Sequence, residues 1–181
     1  MSKFTIGPFV GSFPHLFTPH AVTPGDEEKF SIQVVMEKEN PQWEQMRKLA
    51  FEVAKNRWGK VPANLQLTIN DGDTTDRAET AGCNYMSISC KADRPPQVVG
   101  ADRQPIVDPS ECYAGAIYYA SVRAYAWTYA NKKGVSFGLN HVMKAADGDR
   151  LDGRGTAEDD FEDIDLSDFI DKKPVSPADV L

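Results

Sequence analysis

Aromatic and basic side chains occupy most of the odd-numbered positions from Tyr119 to Tyr129, and these are the residues of the chain best suited to binding chemistry. Residues 115–130 are predicted to form a strand, whose alternate side chains face opposite sides of a sheet. The even positions, from Ala116 to Thr128, are mostly small and apolar. The odd positions after Ile117 carry a serine, an arginine and four aromatic rings. This parity predicts one core face and one open aromatic face.

An open face of aromatic rings beside cations is typical of proteins that bind single-stranded nucleic acid. Every base has a π-face, so aromatic side chains stack on bases without reading their sequence, at about 1–3 kcal/mol per base. Lysine and arginine contribute the phosphate contacts that make such binding depend on salt. The predicted nucleic-acid-binding residues are Tyr119, Arg123, Tyr125, Trp127, Tyr129, Lys132, Lys133, Asn140 and Lys144.

A second strand is predicted to return along the first. Residues 131–134, Asn-Lys-Lys-Gly, are predicted to form a four-residue turn, and residues 135–144 the return strand. This pairing puts large residues opposite small ones on the core face and Gly138 opposite Trp127 on the aromatic face. The expected core-face pairs are Ala130 with Val135, Thr128 with Phe137, Ala126 with Leu139, Ala124 with His141, and Val122 with Met143.

The signatures of common enzyme classes are absent from the sequence. It contains no GxxxxGK[ST], HExxH or GxSxG motif. The acidic run from Asp71 to Asp76 resembles a calcium loop, but Gly82 stands at the position of its final glutamate. The three cysteines, Cys83, Cys90 and Cys112, lack zinc-site spacing. We therefore expect no catalytic residue, cofactor or metal; a nuclease using the carboxylates of residues 71–76 is the remaining enzyme hypothesis.

The elements around the hairpin predict a mainly β domain of the OB type, a curled sheet or barrel with one helix. Asn40 and Pro41 are suited to begin a helix and Gly59 to end it, so an amphipathic helix is expected over residues 41–58. Alternating patterns predict strands at 30–36, 65–69 and 85–91, separated by a polar loop at 70–84. The proline-rich residues 1–25 are expected to form short extended pieces over the body, and residues 93–111 edge strands or a loop.

The charge of the chain is concentrated at one end. Residues 1–150 contain equal numbers of basic and acidic residues, so the net charge of −7 comes entirely from residues 151–181. We expect residues 1–150 to form the binding domain and residues 151–181 a disordered acidic tail. Apolar residues among the acids suit a segment that docks into basic grooves of partners. The predicted partner-binding residues are Asp159, Asp160, Phe161, Glu162, Asp163, Asp165 and Phe169.

The sequence also resembles a family of tailed-phage single-stranded DNA-binding proteins. The resemblance rests on residues 108–161 and is strongest in Lys133-Gly-Val-Ser-Phe-Gly-Leu-Asn140. The chain departs from the family pattern at His141 and Met143, where Asn and Gln are expected, and at its C-terminal Val180-Leu181. The other matching stretches are Asp108-Pro-Ser-Glu-Cys112-Tyr-Ala-Gly115, Ala124-Tyr125-Ala126, Asp147-Gly-Asp-Arg-Leu151 and Ala157-Glu-Asp-Asp-Phe161.

The resemblance implies an OB fold, binding of single-stranded DNA during phage replication or recombination, and an acidic tail that contacts replication proteins. A polymerase, a helicase or primase, or a nuclease are the expected partners, in the cytoplasm of the host. No apolar run reaches the roughly 20 residues of a membrane span, so no membrane association is expected. A homo-oligomer is compatible with the sequence. The alternative is an acidic DNA mimic that binds host proteins and no DNA.

Overall fold

The computed structural model describes residues 3–151 and 157–170. Eight strands form one sheet, in which β1, β2, β5, β8 and β7 pair in a closed ring. All neighbours in this ring are antiparallel except β5 and β8, which run parallel. The strands are β1 Lys3–His20, β2 Lys29–Glu37, β3 Gln66–Leu67, β4 Asn70–Asp71, β5 Cys83–Lys91, β6 Gln97–Val99, β7 Ile117–Tyr129 and β8 Lys132–Ala146. This closed five-stranded ring confirms the predicted OB-type barrel.

One long helix, α1 (Pro41–Trp58), follows β2 and packs against β7 and β8. The Asn40 side chain accepts a hydrogen bond from the Gln42 backbone N–H at 2.9 Å. At the other end Gly59 takes the left-handed conformation (φ 78°), and its N–H donates to Lys55 O at 2.8 Å. Trp43 is buried in the core. The predicted helix and both of its caps are confirmed.

The N-terminal segment differs from the prediction of short pieces over the body. β1 is a central strand, paired with β2 on one side and β7 on the other. Its prolines lie in a strand whose register shifts between Ile6 and Phe9 and twice more between Ser12 and His20. A bulge tolerates proline because its N–H need not donate to the ladder. Residues 3–20 form a strand because they pair with β2 and β7, and their proline-rich composition does not indicate these partners.

The hairpin of β7 and β8 confirms the predicted faces but corrects the predicted register. The turn is the two-residue Ala130-Asn131, with φ values of 47° and 66°, instead of the four residues 131–134. As a result Ala126 pairs with Val135, Ala124 with Phe137 and Val122 with Leu139. In each pair the β8 residue lies four positions earlier in the sequence than the predicted partner. Because four is an even number, the core and outer faces of β7 are unchanged.

A register shift between Ser121 and Val122 reverses the alternation in the second half of β8. His141 pairs with Ser121 on the outer side and is exposed, whereas Val142 pairs with Ala120 and is buried. The prediction that His141 and Met143 belong to the core face is therefore wrong. Asn140 is the additional residue of β8 at this shift. A single unpaired residue is enough to exchange the two faces of a strand.

The segments outside α1 and the long strands differ from the prediction in how much strand and 3-10 structure they contain. The strand expected at 65–69 is reduced to β3, which pairs with β8. The loop at 70–84 contains β4 and two 3-10 turns, Gly72–Thr74 and Ala78–Thr80. β6 runs parallel to β8, and a third 3-10 turn covers Pro109–Glu111.

Two four-residue helices, α2 (Ala157–Asp160) and α3 (Ser167–Ile170), lie within the acidic tail. The side chains of Phe161, Ile164, Leu166 and Phe169 are exposed. The predicted disorder of the tail and the domain boundary near residue 150 stay predictions, because residues 152–156 and 171–181 lie outside the described residues. Lys172-Lys173 and Val180-Leu181 belong to that part.

Candidate nucleic-acid interface

The outer face of β7 carries the predicted aromatic side chains with different degrees of exposure. Tyr125 is 48% exposed and Tyr129 is 77% exposed, whereas Tyr119 and Trp127 are half-buried. The opposite face of β7, formed by the even-numbered residues from Ala116 to Ala124, is buried in the core. The alternation in the sequence therefore identified the open face of β7. On that face Tyr125 and Tyr129 present exposed rings, whereas Tyr119 and Trp127 do not.

Trp127 lies flat on the neighbouring strand. It pairs with Gly134, where a Cβ atom would overlap the indole ring. Its Nε1 donates a hydrogen bond to Ser136 Oγ at 2.8 Å. Trp127 thus packs on Gly134, and not on Gly138 as the predicted register required. Tyr119 is supported in the same way by Gly7 of β1. Both half-buried rings are held in place by glycines of adjacent strands.

Tyr125 opens into a groove of about 660 Å³ between the β7–β8 hairpin and the end of β5. Arg123 and Asn140, two further predicted residues, line the same groove. Gly138 is opposite Arg123, and a Cβ there would lie 3.5 Å from Tyr125 Cε1, an ordinary contact. His141 also faces the groove and accepts a hydrogen bond from the Gln97 backbone N–H through Nδ1, at 3.1 Å. The groove therefore combines one free ring with hydrogen-bonding groups.

Two pairs of like charges flank this groove. Lys29 of β2 pairs directly with Lys91 of β5, and Lys3 of β1 pairs directly with Arg123 of β7. Like charges directly opposite each other destabilise a sheet. Within residues 3–151 and 157–170, no ion pair offsets these four cations. A polyanion bound in the groove would relieve the repulsion at both pairs.

Sequence reasoning missed three cations that line the groove, Lys29, Lys91 and Arg94. Asp93 is the acidic residue lining it. Lys29 and Lys91 lie at the ends of two predicted strands, so the only available signal was a lysine flanking each alternating segment. Their proximity follows from β2–β5 pairing, which the sequence alone does not show.

Three predicted cations, Lys132, Lys133 and Lys144, do not line the groove. Lys133 pairs with Thr128, and its Nζ is 5.6 Å from the ring centroid of Trp58 at the end of α1. Lys144 donates to Asp147 Oδ1 at 2.6 Å and lies 5.2 Å from the Tyr113 ring centroid. The Lys144 ammonium and the Tyr113 hydroxyl hold the pKa of Asp147 below its usual value. Lys132 pairs with Tyr129 beside the hairpin turn.

The acidic loop considered for calcium or catalysis is engaged by a lysine. Lys38 Nζ contacts Asp71 Oδ1 at 2.7 Å and also pairs with Asp73. The pKa of Asp71 is lowered chiefly by Lys38, and that of Asp73 chiefly by the Gly82 N–H and then by Lys38. Across the described ranges, no three His, Cys, Asp or Glu side chains are grouped to hold a metal ion. In those ranges no helix has the length and apolar character to cross a membrane.

The predicted partner-binding residues lie together in one exposed segment. The side chains of Asp160, Phe161, Glu162, Asp163, Asp165 and Phe169 are all exposed. Asp159 is part of α2, and its side chain lies outside the described residues. Asp165 Oδ1 accepts the Ser167 N–H at 2.9 Å, which lowers the pKa of Asp165 and begins α3. The segment thus presents acids and apolar rings to solvent.

Comparison with known proteins gives consistent matches. The model of a family described as "Enterobacter phage Enc34, ssDNA-binding protein" matches residues 3–170. "Putative protein p50" of Acyrthosiphon pisum secondary endosymbiont phage 1 is 26% identical over 170 residues, which cover 87% of this chain and 91% of that protein.

Solved structures of phage proteins share the fold. The single-stranded DNA-binding protein from bacteriophage Enc34, in complex with ssDNA, aligns with a TM-score of 0.71 and 24% identity, covering 82% of this chain and 89% of that one. The single-stranded DNA-binding protein gp2.5, encoded by bacteriophage T7, aligns with a TM-score of 0.58 and 14% identity, covering 92% and 96%.

Proposed function

Because the chain belongs to the family of the Enterobacter phage Enc34 ssDNA-binding protein, we propose that it binds single-stranded DNA without sequence preference in phage replication or recombination. The observation that carries the binding mode is the groove that Tyr125 lines together with Lys29, Lys91 and Arg123. A ring in that position stacks on a base, while the cations beside it contact the phosphates. The protein acts in this way in the cytoplasm of the infected host.

The binding mode is mostly electrostatic and depends little on base identity. Stacking on Tyr125 uses the π-face that every base has, and the cations contact phosphates, which carry no sequence information. With Z phosphates contacted, the logarithm of affinity for single strands falls with that of salt at a slope of about −0.7Z. Phosphate contacts by the four cations of the two like-charge pairs alone therefore give a slope near −3 by order of magnitude.

We expect oligonucleotides of equal length and mixed sequence to bind with similar affinity at one salt concentration, and all to weaken in parallel as salt rises. Fluorescence titrations at several salt concentrations measure both quantities. The double variant Lys29→Gln, Lys91→Gln should have a shallower slope, and Lys133→Gln, remote from the groove, serves as the control. Tight binding of one short sequence only, or a slope near zero, would contradict the proposal.

The acidic tail is proposed to compete with DNA for the groove and to recruit a replication protein when DNA displaces it. Residues 151–181 carry the whole net charge of −7. In the described part of the chain, the groove cations Lys29, Lys91 and Arg123 have no carboxylate partner. The rings of Phe161 and Phe169 are exposed. A tethered polyanion mimics the charge of DNA. Its rings can occupy the position of a stacked base.

A further inference from the structure

Phe13 is an exposed aromatic residue held in an unfavourable backbone conformation. Its φ is 47°, in the left-handed region that residues with a Cβ rarely adopt, and 53% of its surface is exposed. It lies in β1 at the register shift between the Ser12–Gln33 and His15–Ser31 pairs. A residue keeps an unfavourable backbone conformation only where the surrounding structure enforces it. Such residues are concentrated at functional sites, ligand-binding sites among them.

Arg77 holds the Phe13 ring from the protein side. Its guanidinium carbon lies 5.2 Å from the Phe13 ring centroid and 5.3 Å from that of Tyr85, so one cation contacts both rings. Arg77 Nη2 donates to Gln33 Oε1 at 2.9 Å, which fixes the guanidinium above β2. Phe13, Arg77 and Tyr85 together form what we call the Phe13 stack. The ring is thus ordered in place, with about half of its surface open to solvent.

The Phe13 stack and the groove lie on the same outer surface of the barrel. Phe30, Ile32 and Val34 of β2 point into the core, so the residues between them point outward. From the Lys29–Lys91 pair the outward pairs are Ser31 with Ser89 and then Gln33 with Ser87, beside Phe13. The four-residue step along β2 from Lys29 to Gln33 therefore spans about 13 Å.

The surface between the two sites is compatible with a polyanion. The outward residues of β2 and β5 along it are serines and a glutamine, small or uncharged, and none is a carboxylate. His15, which pairs with Ser31, stacks on His20 with ring centroids 4.1 Å apart. Burial and the neighbouring His20 lower the pKa of His15. A single strand of roughly 4–16 nucleotides, the site size of one OB fold, is long enough to reach from the Lys29–Lys91 pair to Phe13.

We propose that the Phe13 stack is a second base-stacking subsite for single-stranded DNA, occupied by a nucleotide beyond those in the groove. This inference rests on the proposed function and assigns one end of the DNA path. Phe13 provides the π-face, Arg77 fixes the ring, and the serine-lined surface carries the intervening backbone.

Phe13→Gly is the variant that tests this subsite, because glycine accepts a φ of 47° without strain and removes only the ring. Affinity is measured for oligo-dT of about 4 and about 16 nucleotides, at the two ends of the OB-fold range. We expect the variant to bind the long oligonucleotide about 5- to 150-fold more weakly and the short one unchanged. Phe51→Ala, which removes another exposed phenyl ring from α1, is the matched control and should bind both like the wild type.

A gain-of-signal variant provides the second readout. The indole of Phe13→Trp should be quenched by the long oligonucleotide beyond the quenching of the wild type, and not by the short one. Equal loss for both lengths in Phe13→Gly, or no loss for the long one, would overturn the subsite. If the wild-type protein bound neither oligonucleotide, the proposed function itself would fail, so the two failures are distinguishable.

Discussion

Replacing Tyr125 with alanine is expected to weaken binding of oligo-dT by about 1–3 kcal/mol, or about 5- to 150-fold, without lowering the melting temperature. The ring is 48% exposed, lines the groove and does not belong to the buried core cluster. Its removal therefore deletes a stacking surface and leaves the barrel intact. Affinity is measured by titration and stability by thermal unfolding of the same preparations.

Tyr129→Ala is the matched comparison for this variant. Tyr129 belongs to the same face and is more exposed, but it lies beside the hairpin turn and does not line the groove. We expect it to lose less affinity than Tyr125→Ala. Wild-type affinity in Tyr125→Ala, or a loss of affinity that only accompanies a lower melting temperature, would show that the groove is not where bases stack.

Removal of the residues after Gly155 is expected to raise the affinity for oligo-dT, most strongly at low salt. A tethered segment acts at an effective concentration of order 1 mM. If the tail binds the groove with a Kd of about 0.1 mM, its removal raises the apparent affinity about tenfold. The gain should shrink as salt rises, since the Debye length falls from about 30 Å at 0.01 M to about 8 Å at 0.15 M.

Two further effects are expected of the same truncation: weak binding of duplex DNA, because the electrostatic attraction is no longer opposed, and loss of replication-protein recruitment. A full-length variant with Phe161→Ala and Phe169→Ala keeps the charge and separates the contribution of the rings from that of the acids. Equal affinities of full-length and truncated protein at both salt concentrations would contradict competition by the tail, whatever its part in recruitment.

The elements that depend on local chemistry were predictable from the sequence. Asn40 and Gly59 indicate both ends of α1, and the alternation from Ala116 to Ala124 identifies the buried face of β7. The hairpin tip was not predictable, because Ala130 and Asn131 occupy left-handed conformations that usually attract glycine. Gly134, which resembled the turn glycine, instead makes room for Trp127.

The site was predictable only in part, because half of it depends on strand pairing. Arg123, Tyr125 and Asn140 come from one hairpin, whose faces the sequence periodicity reveals. Lys29 and Lys91 come together through pairing of β2 with β5 across the intervening helix. Trp127 shows a second limit. Its outward parity is correct, yet its contacts with Gly134 and Ser136 make it partly structural, so Trp127→Ala should lower stability as well as affinity.

The decisive measurement is a structure of the protein with bound oligo-dT. We expect one base stacked on Tyr125 and phosphates within contact distance of Arg123 and of Lys29 or Lys91. DNA bound along α1 near Lys133 and Trp58, with the groove free of DNA, would contradict this expectation.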